Sequence, residues 1–226
     1  MSNQNKFKTA LKRHSWDVST DQAKNIQEEL RHEVIRKNTL GEIHFVAGAD
    51  VGFDRKNKIT RAAVAVLTYP ELELHEKAVI HQPTRFPYIP GFLSFREVPA
   101  LLEAFSHLKT EPDLVLCDSQ GIAHQRRFGL ACHLGVLTGL PTIGVAKSRL
   151  IGSHAPVPEE KGRWVPLTDD GEVLGCVLRT RTRVKPLYIS IGHKVDLPAA
   201  RHYVMHCLTR YRLPETTRWA DKLASG

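Results

Sequence analysis

The stretch that decides the fold spans residues 43–81, IHFVAGADVGFDRKNKITRAAVAVLTYPELELHEKAVIH. It holds three runs rich in β-branched and small apolar residues, at 43–51, 60–68 and 72–81. Asp54-Arg55-Lys56-Asn57 breaks the first pair and Tyr69-Pro70-Glu71 the second, both turn compositions. Links this short exclude a parallel return, which needs a dozen or more residues, so the three runs form an antiparallel meander.

Beyond the meander, a loop over 82–92 carries Pro83, Pro87 and Pro90. A helix is expected over 95–108, with Val98, Leu101, Leu102, Phe105 and Leu108 on one face. Residues 113–118, DLVLCD, read as a strand covered on both faces, the signature of parallel pairing. A helix over 129–137 and an apolar strand over 142–147 follow, then an irregular stretch with Pro156, Pro158 and Pro166. Strands over 173–179 and 187–191 and a helix over 199–210 precede a polar tail. Toward the N-terminus, Ala23, Ile26, Leu30 and Val34 mark a helix over 19–37, capped from Ser19-Thr20-Asp21. Residues 1–15 read as a disordered basic lead. The fold class is therefore α/β: an antiparallel three-strand meander plus parallel strands in one mixed sheet flanked by helices. Ligands are expected at the carboxyl ends of the parallel strands.

The length of 226 residues suits one domain, here 16–226, with enough chain to bury a core without staples. Apolar residues make up 42% and charged residues 25%, a globular profile. The longest apolar runs fall far short of a membrane span, and the basic start lacks the apolar core of a secretory signal, so a cytoplasmic location is expected. Cys117, Cys132, Cys176 and Cys207 are scattered without a C-x-x-C pair, which argues for free thiols rather than a zinc site. The formal net charge of +8 points to a polyanion such as nucleic acid. Lys6, Lys8, Lys12 and Arg13, with no acid among residues 1–14, supply half of it.

Asp50 lies late in an apolar strand and Asp118 ends another. Carboxylates there need a partner. They either cap turns or helices, or share a hard divalent cation such as Mg2+ or Mn2+, for which oxygen-only ligation is suited. Glu97 completes Ser94-Phe95-Arg96-Glu97, an S-x-x-E capping box; its rival role is a third carboxylate aimed at that cation. The stiff loop Phe86-Pro87-Tyr88-Ile89-Pro90-Gly91-Phe92-Leu93 either packs on the core or wedges between stacked bases. Arg179, Arg181, Arg183 and Lys185 alternate and form a stripe if extended, tracking phosphates or guarding an edge strand. Lys147, closing an apolar strand, is placed to neutralise charge on a phosphate. His124, followed by Gln125-Arg126-Arg127, and His193 are candidates for contacting water or phosphate.

Taken together, AGADVGF, RAAVAVLTYP, YIPGFLSFRE, DSQGIAH, PTIGVAKSRL, PLYISIGH and RLPETTRWAD resemble the endonuclease V family over roughly residues 25–222. The resemblance implies a ribonuclease H-like fold and a deoxyinosine 3′ endonuclease. Such an enzyme cuts the second phosphodiester bond 3′ to the lesion with Mg2+, for which Mn2+ can substitute. It also implies that Asp50 and Asp118 bind the metal, with Glu97 the third catalytic acid and Asp221 a further acid beside the site. His124 and Lys147 match positions near the scissile phosphate, and Tyr88, Ile89 and Pro90 match a wedge that probes the duplex. Backbone groups at Gly91, Leu93, Gly121 and Ile122 are then expected to read the hypoxanthine edge. Ser119 and Gln125 depart from the family, which has Gly after the aspartate and Pro after the histidine. DNA containing deoxyinosine is the expected partner of a monomeric enzyme that needs no membrane. Two rival readings stay open: an inosine-specific endoribonuclease using the same site, and a metal-independent nucleic-acid-binding module.

Overall fold

The computed structural model describes residues 3–226. Its centre is an eight-stranded sheet. The strands are β1 (Phe45–Asp54), β2 (Ile59–Thr68), β3 (Leu74–Pro83), β4 (Leu114–Cys117), β5 (Thr142–Ala146), β6 (Trp164–Asp169), β7 (Glu172–Leu178) and β8 (Leu187–His193). In space they run β3-β2-β1-β4-β5-β8-β7-β6. The first three pair antiparallel, as the short turns require, and β1, β4 and β5 are parallel neighbours. β8 and β7 then continue antiparallel to the far edge at β6. The mixed α/β sheet read from the sequence is thus observed.

Helices α1 (Asn3–Leu11), α2 (Thr20–Leu30), α3 (Leu93–Ser106), α4 (Leu130–Thr138), α5 (Leu197–His206) and α6 (Glu215–Ser225) cover the two faces. Strand periodicity sorts the core. Ala47, Ala49, Val115 and Cys117 point to a cluster with Phe7, Val98, Leu101, Phe105 and Leu134, under α1, α3 and α4. Val46, Leu114, Leu116, Ile143 and Val145 point to the opposite cluster, with Val204 and Trp219, under α5 and α6. All four cysteines are buried free thiols.

Four expectations from the sequence are corrected. First, residues 3–11 of the basic lead form a helix rather than a disordered arm. Phe7, 1% exposed, stacks on Phe105 at 5.3 Å, and Ala10 is buried beside it, so the lead is amphipathic despite its charge. Second, the polar tail contains α6, whose buried face is Thr216, Thr217, Ala220 and Ala224. Small and hydroxyl side chains carry no hydrophobic stripe to read, because this helix packs on bare backbone. Third, Trp164–Asp169 inside the irregular stretch is an edge strand, where Pro166 costs no ladder bond to a further neighbour. Fourth, α3 starts at Leu93 with Phe92 as its N-cap and no side-chain cap, so Ser94-x-x-Glu97 is not a capping box. The reciprocal box is instead at Ser19 and Gln22, opening α2. That helix stops at Leu30 and tightens into a 3-10 turn, short of the expected 37.

Among the described residues, no helix is long and apolar enough to cross a membrane.

Backbone approaches backbone closely between α6 and β1. A Cβ on Gly48 would collide with the Thr216 carbonyl, and one on Gly52 with the Ala224 carbonyl. The helix therefore rests directly on the strand, with Asp50 between the two glycines. Gly48→Ala is expected to destabilise the protein by about 1–3 kcal/mol, the usual cost of overpacking, by lifting α6 off the sheet. Urea denaturation checks the stability. Mn2+ titration is expected to show weakened binding, because Asp221 leaves with the helix.

Candidate active site

The parity that buries Gly48 and Gly52 under α6 also sends Asp50 to that face. In β4 the residues sharing a face with Asp118 are Leu114 and Leu116, which pack on the α6 side. The Asp118 amide donates to the Ala49 carbonyl at 3.0 Å, so both acids leave neighbouring strands at one level. Asp221 reaches them from α6, and ligand oxygens of Asp50, Asp118 and Asp221 lie within 4.8 Å of one another. The next parallel strand, β5, ends at Lys147, whose ammonium pairs with Asp118 and, at 2.8 Å, with Asp221. The middle of β1, just past its pairing with β4, the ends of β4 and β5, and one helix thus deliver three acids and one base to a single point at the carboxyl edge of the parallel strands.

The electrostatics are those of compressed, unneutralised acids. Burial first, and the Asp118 carboxylate second, push Asp50 up to about 7. Burial also raises Asp118, against the pull of Lys147. Glu97, buried on α3, is raised well above the ordinary carboxylate range by burial and by Asp50. It faces the cluster without joining the group of oxygens that Asp50, Asp118 and Asp221 form. Lys147 is held above the ordinary lysine value despite its own desolvation, because two carboxylates grip it. Three oxygen donors at this spacing, short of positive charge, suit a hard divalent cation. They fit Mg2+ or Mn2+ better than zinc, since no sulfur or imidazole joins them among the described residues.

Beside the cluster opens a cavity of about 260 Å3. Asp118 and Lys147 belong to its wall as well as to the cluster. Tyr88, Ile89, Pro90, Gly91 and Leu93 form one side, and Ser148, Arg149 and Leu150 the other. Tyr88 is 70% exposed and Leu150 40%, both large apolar groups at the rim. The loop behind Tyr88 is anchored at one carbonyl. Gly91 O accepts from Arg126 Nη2 at 2.6 Å, His124 Nε2 at 3.0 Å and Gln27 Nε2 at 3.1 Å. Gly91 has φ +84°, and a Cβ there would press on the Arg126 guanidinium and the Gln125 amide. Only glycine suits this corner.

Several sequence candidates are placed differently from expectation. His124 donates through Nε2 to Gly91 and accepts the Arg126 amide through Nδ1 at 3.2 Å, so both nitrogens serve the loop root. Burial drops its pKa to about 4 and keeps it neutral. The Gly121 amide donates to Ser190 Oγ and the Ile122 amide to the Ile191 carbonyl, so neither is free to read a base. Ile122 is core; the wall is built by the adjacent Ser119 and Gln120. The arginine stripe does not exist as an extended face. The Arg179 guanidinium is spent on the carbonyls of Val157, Pro158 and Val184, and a turn follows it. His193 accepts the Ile35 amide and lies away from the acids. Arg127 is locked to Asp169 and Glu172.

Residues missed by sequence reasoning are those whose role is to hold others. Arg212 donates to the carbonyls of Lys147, Lys185 and Pro186, fixing the Lys147 backbone from the segment before α6. Gln27, on a helix read only for its apolar face, supports the wedge loop. No local pattern marks either, since their partners are bare carbonyls distant in sequence.

The family model for Endonuclease V matches residues 28–222. An Endonuclease V of Rippkaea orientalis is 61% identical over 208 residues, 92% of this chain and 91% of the relative. One of Trichormus variabilis is 56% identical, covering 94% of this chain and 97% of the relative. Among solved structures, the Endonuclease V of Streptomyces avermitilis superposes with a TM-score of 0.89 at 41% identity, covering 93% of each chain. The Ciona intestinalis Endonuclease V, solved with a 23mer DNA containing an inosine followed by a ribo-adenosine, reaches 0.82 at 31% identity. It covers 92% of this chain and 97% of that one.

The raised Asp50 carboxyl has a measurable consequence. In the unfolded chain it ionises near its ordinary 3.8, and in the folded, metal-free protein near 7. Folding therefore favours the protonated form, and its contribution is lost as pH rises through that interval. Asp50→Asn is expected to stabilise the metal-free protein at pH 7.5 by on the order of 2 kcal/mol, half of what a shift of three units is worth, since Asp50 is not fully buried. The gain should vanish near pH 4. Thermal denaturation of both proteins in chelator, across that range, checks the sign and the window.

Proposed function

Since the chain belongs to the endonuclease V family, we propose that it is a Mg2+-dependent repair nuclease that recognises deoxyinosine in DNA. On this reading it hydrolyses the second phosphodiester bond 3′ to the lesion and leaves a 3′-hydroxyl and a 5′-phosphate. Residues 16–226 act as a single catalytic domain. The observation that carries this reading is the shared wall: Asp118 and Lys147 belong both to the acidic cluster and to the cavity behind the exposed Tyr88. A base turned into that cavity leaves its own backbone beside the acids.

Asp50, Asp118 and Asp221 are the residues to hold the ion, with Glu97 close enough to feel its charge. The ion, when bound, acidifies a water and offsets charge on the phosphoryl oxygens. Lys147 adds a fixed positive charge on the cavity side of the acids, where the phosphate must lie. Its two carboxylate partners keep it protonated throughout the working range. Glu97, in a dry setting, retains a proton until positive charge arrives, so the site is neutral enough to fold yet anionic when loaded.

Recognition is assigned to the loop and the cavity. A deaminated base pairs weakly and is turned out of the stack at low cost, on the order of a few kcal/mol or below. Tyr88 fills the gap by stacking, contributing roughly 1–3 kcal/mol. The loop can act as a wedge because Arg126, His124 and Gln27 immobilise its root at Gly91 while its tip stays exposed. His124 is therefore a positioning residue for the wedge. The first turn of α3 begins without a side-chain cap, at Leu93 and Ser94 in the cavity wall. Its N–H groups suit the O6 acceptor of hypoxanthine.

Incubation with an end-labelled duplex carrying one deoxyinosine is expected to give a single nick at the second bond 3′ to it, in Mg2+ and not in chelator. The matched inosine RNA strand serves as the competing substrate; faster cleavage of it would move the assignment to RNA. Absence of any metal-dependent nick would leave only a binding module. Asp50→Asn is expected to lower turnover by more than about 100-fold, the upper range seen for outer-shell partners of a metal, while lesion binding in a gel-shift assay persists. Tyr88→Ala is expected to reduce the preference for lesion over plain duplex by roughly 5- to 150-fold, with little change on plain duplex.

A further inference from the structure

A chain of hydrogen bonds runs from half-buried His14 in the N-terminal segment to buried Ser94 in the cavity wall. His14 Nδ1 lies 2.8 Å from the Ser15 carbonyl. His14 Nε2 lies 2.8 Å from His133 Nε2, and His133 Nδ1 lies 3.0 Å from Ser94 Oγ. Ser94 is buried and lines the cavity. The two imidazoles sit among Trp16, Phe95 and Phe128, an apolar ring cage that disfavours charge on either.

The polarity of this chain is determined from its outer end. A carbonyl only accepts, so His14 Nδ1 carries the proton and, in the neutral ring, Nε2 accepts. His133 Nε2 must then donate, which leaves His133 Nδ1 as an acceptor. Ser94 therefore donates its only hydroxyl proton to His133. What it can offer the cavity is lone pairs alone. The same residue also opens α3, where backbone N–H groups are donors. A donor and an obligate acceptor thus stand side by side in the wall. That is the complement of a lactam edge, N1–H beside C6=O, and the opposite of the adenine edge.

We propose that Ser94 is a specificity-determining residue that accepts the N1–H of the extruded hypoxanthine, and that His133 and His14 are positioning residues that hold its hydroxyl in the accepting orientation. This rests on the base-pocket reading above and deepens it. Selectivity against a base with a bare N1 then comes from two lone pairs forced together, rather than from shape. The N-terminal segment, which carries His14 outside the nuclease sheet, becomes part of the reader.

Two measurements test it. Long-range 1H–15N spectra of histidine-labelled protein are expected to show the proton on Nε2 of His133 and on Nδ1 of His14; the reverse at His133 overturns the proposal, whatever the activity. Cleavage is then compared on two otherwise identical duplexes, one with deoxyinosine and one with the purine analogue nebularine, whose N1 is a bare acceptor. Ser94→Ala is expected to lower the inosine-to-nebularine ratio roughly tenfold, the worth of one neutral hydrogen bond. His14→Phe keeps the ring packing but frees the Ser94 rotor, and is expected to lower the same ratio by improving nebularine cleavage. Equal loss on both duplexes in both variants would mean a structural role only and would overturn the proposal. Failure of the unsubstituted protein to nick the inosine duplex would instead overturn the base-pocket reading and with it the Ser94 assignment, leaving the spectra to judge the polarity of the chain alone.

Discussion

Everything at the active end of this molecule depends on a helix lying flat on a strand's backbone. Gly48 and Gly52 present no side chain to α6, and the carbonyls of Thr216 and Ala224 occupy the space that side chains would take. One residue of strand, Ala49, separates Gly48 from Asp50, and one, Val51, separates Asp50 from Gly52. The acid therefore emerges in the narrow strip between strand and helix, where Asp221 meets it. Any side chain larger than hydrogen at the flanking positions would separate the two carboxylates. The fourth acid of the site is thus a packing consequence as much as a chemical one.

The price of that geometry is charge compression. Asp50, Asp118 and Asp221 share a space in which Lys147 is the cation paired with them among the described residues, and Glu97 is buried behind them. Burial and mutual repulsion raise Asp50, Asp118 and Glu97, so these carboxyls hold their protons more tightly than free ones. A divalent cation held by Asp50, Asp118 and Asp221 would supply the positive charge that those protons now provide. The site is destabilising in isolation and stabilising when loaded, the usual pattern where local rules are broken for chemistry.

The recognition side uses the opposite device. Its loop is over-determined at the root and bare at the tip: three donors converge on the Gly91 carbonyl, while Tyr88 makes its exposed face available. On the proposed reading of the loop as a wedge, that rigidity is what would let it part stacked bases. Behind the loop, the paired imidazoles of His14 and His133 fix which way a serine hydroxyl points, a detail that distances alone leave open until the carbonyl at the end of the chain is considered.

The meander, the fully buried β4 and β5, and the placing of Asp118 at a strand end followed from local pattern, whereas Asp50 lies inside β1, which runs on to Asp54. Periodicity and turn chemistry act over a few residues, and the residues at 43–81 and 113–118 obey them without conflict. Local pattern also offered Glu97, Lys147 and the Tyr88 loop with alternatives open; motif resemblance chose among those alternatives and added Asp221. What the chain's linear pattern hid was of three kinds. Helices α1 and α6 were masked by their polarity, one because its lysines outnumber its few anchors, the other because it packs with small side chains against glycine. The supporting roles of Gln27, Arg126 and Arg212 were not legible because their partners are mostly main-chain carbonyls, which any residue supplies. The roles of His124, Gly121 and Ile122 changed because the direction of a side chain or amide is set by what packs over it. Sequence alone determined the strand runs and which residues are candidates for the chemistry, since both are local; only the tertiary structure decided which of those candidates touch, which keep their protons and which merely hold the others, since those depend on distances between segments that the linear order does not encode.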